Sequence, residues 1–121
     1  MKKILGAFLF LQLRIFADFQ EIQSAQELQK KLLNSKECIV AIGLWPCIPC
    51  DKVKKRLIQD QDKLPDIYWI DVKKHPKIRH VFNFKAVPYL AVYKNGEAIT
   101  QLTGETSCQD HLSSIQYLEH K

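Results

Sequence analysis

Two cysteines two residues apart, Cys47 and Cys50 in Trp45-Pro46-Cys47-Ile48-Pro49-Cys50, are the residues best placed to do chemistry. They follow a continuous apolar run, Cys38 to Leu44, and precede a stretch in which Val53 and Leu57 stand four apart. That pattern reads as a buried strand ending where a helix begins. Unpaired N–H groups and the helix dipole favour an anion at a helix N-terminus, so Cys47 should ionise more readily than a free thiol. Cys47 is then the nucleophile of a thiol–disulfide exchange. Cys50, one turn on, is the resolving thiol that attacks a mixed disulfide and releases the product.

Other uses of the pair have to be weighed. A lone CxxC can be half of a zinc site, but such sites take a second pair at short spacing. Here His75, His80, His111 and His120 are scattered, and Cys38 and Cys108 form no second pair. No metal site is expected. A structural disulfide closing so small a loop constrains little chain entropy. The remaining cysteines read as background. Cys38, opening a buried strand, is expected as a small apolar filler. Cys108, near the start of the last helix, is expected to be more exposed, a surface thiol without a role or one open to a mixed disulfide.

The elements that position the pair are legible in outline. Ser24-Ala25-Gln26-Glu27 is a capping-box pattern opening a helix with Ala25, Leu28 and Leu32 on one face. Ile67 to Val72 is β-branched and aromatic and reads as a second buried strand. His75-Pro76 starts a helix with Ile78, Val81 and Phe82 inward. Tyr89 to Tyr93 and Ala98 to Leu102 flank Asn95-Gly96, a type I′ hairpin signal. Thr106-Ser107-Cys108-Gln109 reads as the cap of a last helix with Leu112, Ile115 and Leu118 inward. With a short first strand at Phe19 to Ile22 the order is β-α-β-α-β-α-β-β-α. An α/β fold follows, a central mixed sheet of four to five strands with helices on both faces.

Length and charge narrow the rest. The chain has 121 residues, room for one domain that can bury a core without disulfide staples. Met1-Lys2-Lys3, the apolar Ile4 to Leu13 and the small Ala17 read as a secretory signal, removed before Asp18 to leave a single domain over residues 18–121. The apolar stretch is shorter than the roughly 20 residues a membrane span needs, although Arg14 and Ile15 depart from the usual cleavage pattern and leave a retained anchor open. The expected location is the periplasm in a bacterium and otherwise the secreted fraction, where disulfides persist. The formal charge is +5, but residues 18–121 hold 15 basic and 13 acidic residues. Nucleic acid is not an expected partner. Lys52, Lys54, Lys55 and Arg56 stand out as the basic cluster and read as a solvated helix face.

Residues 19–119 resemble the thioredoxin family. The proline before the second cysteine is similar to that family's active-site turn. The 37 residues between Cys50 and Pro88 are close to its usual spacing. Tyr93 to Glu97 resembles its terminal hairpin, and Gly104 its glycine beside the active site. The spacing leaves no room for the long helical insertion of the related disulfide oxidases. The resemblance implies a thioredoxin-like three-layer fold and a cis bond at Val87-Pro88. It also implies a substrate edge formed by Trp45, Val87 and Pro88, with protein thiols or disulfides of exported clients as substrates. It further implies a separate redox partner protein, a monomer and no organic cofactor.

The departures concern proton handling. The family's buried acid falls on Ala41 and its accompanying lysine on Ile67. Pro46 stands where a tryptophan usually precedes the cysteine, Asp51 where a lysine is common, and Lys55 where the helix has a kink proline. A redox-inactive binding module, or a copper chaperone using the soft thiolates, is the competing reading. Within the expected topology Cys38 and Cys108 lie at opposite poles of the sheet, roughly 20 Å apart at about 3.3 Å per strand residue. A bridge between them is excluded, since a disulfide needs Cα atoms within about 7 Å.

Overall fold

Alternation along the three central strands decides the architecture. The computed structural model describes residues 18–119, with side chains to residue 114. The proposed leader, residues 1–17, lies outside the described residues. Strands β1 (Phe19–Glu21), β2 (Glu37–Gly43), β3 (Asp66–Asp71), β4 (Tyr89–Lys94) and β5 (Glu97–Thr103) form one sheet in the order β1-β3-β2-β4-β5. β1, β2 and β3 are mutually parallel, β4 is antiparallel to β2, and β5 is antiparallel to β4. β2, β3 and β5 therefore end at one pole of the sheet.

Side chains of a strand point alternately to its two faces. Cys38, Val40 and Ile42 of β2 join Tyr68, Ile70, Tyr89 and Ala91 in one core layer. Helix α1 (Ala25–Asn34) and the single turn α3 (Ile78–Val81) cover that layer with Leu28 and Ile78. Ile39 and Ala41 join Ile67, Trp69, Leu90 and Val92 in the other, covered by α2 (Ile48–Gln59) and α4 (Glu105–Glu119) through Val53, Leu57 and Leu112. The expected three-layer α/β architecture is the one observed. A continuous apolar run suits β2 because both of its faces are buried.

Local chemistry sets most boundaries. Ser24 caps α1, its Oγ accepting from Glu27 N at 3.0 Å, while a Glu27 carboxylate oxygen accepts from Gln23 N at 3.3 Å. Asn95 and Gly96 both take positive φ, 53° and 83°, as the hairpin turn requires. Two expectations need correction. The helix expected from His75 is reduced to one turn; Ile78 and Phe82 are buried as expected, but Val81 is exposed. The last helix begins at Glu105, not within Thr106–Gln109, because Gly104 at φ 95° turns the chain and its carbonyl accepts from Cys108 N at 3.1 Å. Of the expected inward residues Leu112 is buried, while the side chains of Ile115 and Leu118 lie outside the described residues.

The core assignment is testable on α1. Leu28 is fully buried and Leu33, five residues on, is 83% exposed. Leu28→Ala should cost about 2–5 kcal/mol, and Leu33→Ala no more than about 0.5 kcal/mol. Urea denaturation of the two variants measures both, and equal losses would contradict the packing of α1 described above.

Candidate dithiol site

At the common pole of β2, β3 and β5 the chain leaves Gly43 and turns through Leu44 and Trp45 into α2. The Trp45–Pro46 peptide is cis, and Cys47 is the N-cap of the helix, in extended backbone at φ −157° and ψ 107°. Its Sγ accepts from Cys50 N at 3.2 Å and its carbonyl accepts from Asp51 N at 2.9 Å. Pro49 occupies the first turn, where a missing N–H leaves no helical bond unmade. Cys47 and Cys50 are joined in a disulfide with Cα atoms 5.2 Å apart. Cys50 is 1% exposed and Cys47 half-buried, so the pair is open to solvent through Cys47. A sulfur that already serves as the helix cap keeps an N–H aimed at it, which favours the thiolate once the bond is reduced.

The sequence-expected neighbours are at the same pole. Trp45 is 69% exposed and Ile48 75%, an apolar lip beside the half-buried sulfur. The Val87–Pro88 bond is cis, as expected. Pro88 is buried and its carbonyl accepts from Gly104 N at 2.9 Å, so Gly104 does stand beside this loop. Val87 is half-buried and packs on the core layer that Cys47 also touches. Of the loop's two named residues, Val87 is the one that presents its side chain to solvent.

Behind the disulfide the surroundings are apolar. Ala41 and Ile67, where the resemblance would place an acid and a lysine, are fully buried among Cys50, Val53, Leu57 and Trp69. One residue here was overlooked in the sequence. Trp69 of β3 lies against Gly43: a Cβ placed on Gly43 would stand 2.6 Å from Trp69 Cη2 and 3.1 Å from Cys50 Cβ. A glycine closing an apolar strand is the signal of such a close approach. Lys54 Nζ lies 5.4 Å from the Trp69 ring centroid and pairs with Glu21. The indole is thus held between the site and a cation.

The two other cysteines are free and both fully buried. Burial, with Asp66 and Glu37 nearby, pushes the Cys38 thiol up to about 12, and burial pushes the Cys108 thiol up to about 11. The filler reading of Cys38 stands. The exposed reading of Cys108 does not. With α4 starting at Glu105, Cys108 falls four residues before Leu112 on the inward face, in the layer that holds Cys50. Cys38 lies in the opposite layer, so the two remain unbridged as expected. Among the described residues no group of three or more His, Cys, Asp or Glu could hold a metal ion.

Comparison with known proteins agrees with this geometry. No known family profile matches the chain. A curated relative, thioredoxin-2 of Pyricularia oryzae, is 25% identical over 85 residues, covering 69% of this chain and 50% of its own length. The chain therefore spans about half the length of the curated relative it matches. Among solved structures, reduced Schistosoma mansoni thioredoxin pre-protein superposes with a TM-score of 0.73 at 21% identity, covering 84% of this chain and 98% of that one. Malassezia sympodialis thioredoxin gives a TM-score of 0.71 at 19% identity, covering 85% and 92%. The fold is the thioredoxin fold.

Two outcomes follow from the site. Gly43→Ala should cost about 1–3 kcal/mol by overpacking, and less when Trp69→Leu is already present. A double-mutant cycle by denaturation measures this coupling, and strict additivity would refute the Gly43–Trp69 contact. In the reduced, folded protein at pH 8, iodoacetamide should label Cys47 first and leave Cys38 and Cys108 unmodified until denaturant is added. Peptide mapping reads the order; Cys108 labelling as fast as Cys47 would contradict its burial.

Proposed function

We propose that this thioredoxin-like chain is an exported thiol–disulfide oxidoreductase that exchanges electrons with protein substrates through Cys47 and Cys50. The observation that carries the reading is the half-buried sulfur of Cys47, capping a helix and bonded to a buried Cys50, at the same sheet pole as the cis Val87–Pro88 loop. The likeness to thioredoxins supports the same chemistry. Metal chaperoning has no comparable support.

In the reducing direction the Cys47 thiolate attacks one sulfur of a substrate disulfide. That S–S bond breaks, the Cys47–substrate bond forms, and the substrate's other sulfur leaves with the electron pair and takes up a proton. Cys50, as thiolate, then attacks Cys47 Sγ. The mixed disulfide breaks, the substrate is released as a dithiol, and the chain is left with the Cys47–Cys50 bond. Two electrons have passed to the substrate, and a redox partner restores them. Run backwards, the same steps oxidise a substrate. No organic cofactor enters either direction. Trp45 and Val87, with the backbone at Pro88, border the place where an extended substrate would lie.

Export rests on the sequence of residues 1–17, with its basic start, short apolar stretch and Ala17 before Asp18. The site of action is then the periplasm or the secreted fraction, and the clients are exported proteins.

Catalysed reduction of insulin by dithiothreitol tests the chemistry. Cys47→Ser should abolish turnover, whereas Cys50→Ser should accumulate mixed disulfides visible on non-reducing gels. A folded wild-type protein without turnover would overturn the enzymatic reading in favour of a redox-inactive binding module. Intact-mass analysis of the exported protein should give a chain starting near Asp18; a retained Met1 would indicate an anchor instead.

A further inference from the structure

Charge is distributed unevenly around the dithiol. From Val72 to Gly96 the chain has no acidic residue, while Lys73, Lys74, Lys77, Arg79 and Lys85 all fall between the end of β3 and Pro88. This second basic stretch is more extended than the one on α2, and interleaved apolar residues conceal it in the sequence. All five side chains are exposed, as is His80, with His75 half-buried among them. The α2 cluster is largely neutralised: Lys54 pairs with Glu21, Lys55 with Asp51 and Arg56 with Asp60. Among the described residues no ion pair engages the five cations of the 72–88 segment. Asp71 is the acid at its base, and one Asp71 oxygen accepts from Lys73 N and Lys74 N at 2.8 and 3.2 Å.

The segment is fixed to the candidate substrate edge at both ends. At its start Gly43 pairs with Asp71, and Val72 N donates to the Gly43 carbonyl at 2.9 Å. Asp71 also borders a small cleft with Trp45. At its end it runs into the cis Val87–Pro88 bond. Between them the Arg79 guanidinium lies 5.1 Å from the Phe84 ring centroid, and Phe84 packs on Tyr89, the first residue of β4, at 5.7 Å. Lys74, His75 and Lys77 face the start of α1 at Ser24 and Ala25 across a cleft of about 410 Å³.

We propose that the segment between Val72 and Pro88 is a docking surface for acidic protein partners, whose reactive cysteine lies among Asp or Glu residues. Unpaired cations beside a reaction centre raise the local concentration of a negatively charged partner and speed its encounter. A polypeptide is favoured over nucleic acid because the cations are continuous with the edge of a dithiol whose reaction needs a thiol or disulfide. The kinetic consequence rests on the exchange chemistry proposed above; the binding does not.

The test uses the full-length protein and Lys73→Glu/Lys74→Glu/Lys77→Glu, whose exposed positions leave the core untouched. Two peptides carry one cysteine as a mixed disulfide with thionitrobenzoate, flanked in one by glutamates and in the other by glutamines. Each rate is normalised to that with neutral dithiothreitol. The reduced wild type should react with the acidic peptide about tenfold faster than with the neutral one at low ionic strength. The preference should vanish at about 0.5 M salt, where charges are screened within a few ångströms. The triple variant should lose it while keeping its rate with the neutral peptide. Equal wild-type rates, or a preference surviving in the variant, would overturn the proposal. If neither peptide reacts, the exchange chemistry fails, and anisotropy of a cysteine-free fluorescent acidic peptide decides docking alone. About tenfold tighter binding by the wild type than by the variant supports it, and equal binding sinks it. Tighter binding of a single-stranded oligonucleotide or an anionic phosphatidylserine vesicle than of the acidic peptide would reassign the surface.

Discussion

Cys47 has to cap a helix and stay open to solvent at the same time. Its sulfur accepts the Cys50 N–H that the helix start would otherwise leave unpaired, and its carbonyl takes the next bond, from Asp51. That double use fixes the sulfur's position to the backbone of α2, whose Val53 and Leu57 are locked into the core. The sheet, in turn, places the helix. Because β2 ends beside β3 and is paired on its other side with β4, the loop after Gly43 and the loop before Tyr89 must meet at one pole. A soft sulfur held by a helix beside the cis Val87–Pro88 loop is the arrangement that the proposed thiol exchange needs.

The packing behind the pair is a compromise between strand and ring. β2 is otherwise made of residues that fill space, yet it ends in glycine, and the missing side chain is replaced by the indole of Trp69 from the neighbouring strand. The ring fills the room between Gly43 and Cys50 and meets Lys54 on α2. A dense interior transmits a change at one of these residues to the others. Cys50 is therefore packed against the junction of two strands as well as held by its own helix.

Strong local signals were enough to read most of this from the sequence. The apolar run of β2, the Ser24 cap, the Asn95-Gly96 turn and the CxxC at a strand–helix junction each depend on neighbours in the chain, and each was found where expected. The misreadings had tertiary causes. A place in the first turn of the last helix suggests an exposed Cys108, but Gly104, bonded to Pro88 far away in sequence, sets how that turn lies on the sheet and buries it. A longer helix would turn Val81 inward, but the single turn that forms leaves it exposed. The role of Trp69 is not legible in the sequence, since only strand pairing shows which glycine it covers. The basic segment is hidden in the sequence because its lysines are interleaved with Ile78, Phe82 and Phe84, which anchor it.

The apolar surroundings of Cys50 constrain how the proposed exchange can move protons. Ala41 and Ile67 offer no site for one, and Cys108 in the same layer, its thiol pushed up to about 11 by burial, stays protonated at neutral pH and cannot accept one. A thiolate at Cys50 with no paired charge is costly in such surroundings. It is tolerable only while it is being formed and consumed, as Cys50 attacks Cys47 Sγ. The proton it gives up then has one nearby destination that the reaction itself creates, the sulfur departing from the substrate. In the exchange proposed, proton transfer would then be tied to the presence of the partner. Resolution of the mixed disulfide would accordingly depend on how basic the leaving thiol is, a dependence that an internal acid–lysine pair would weaken.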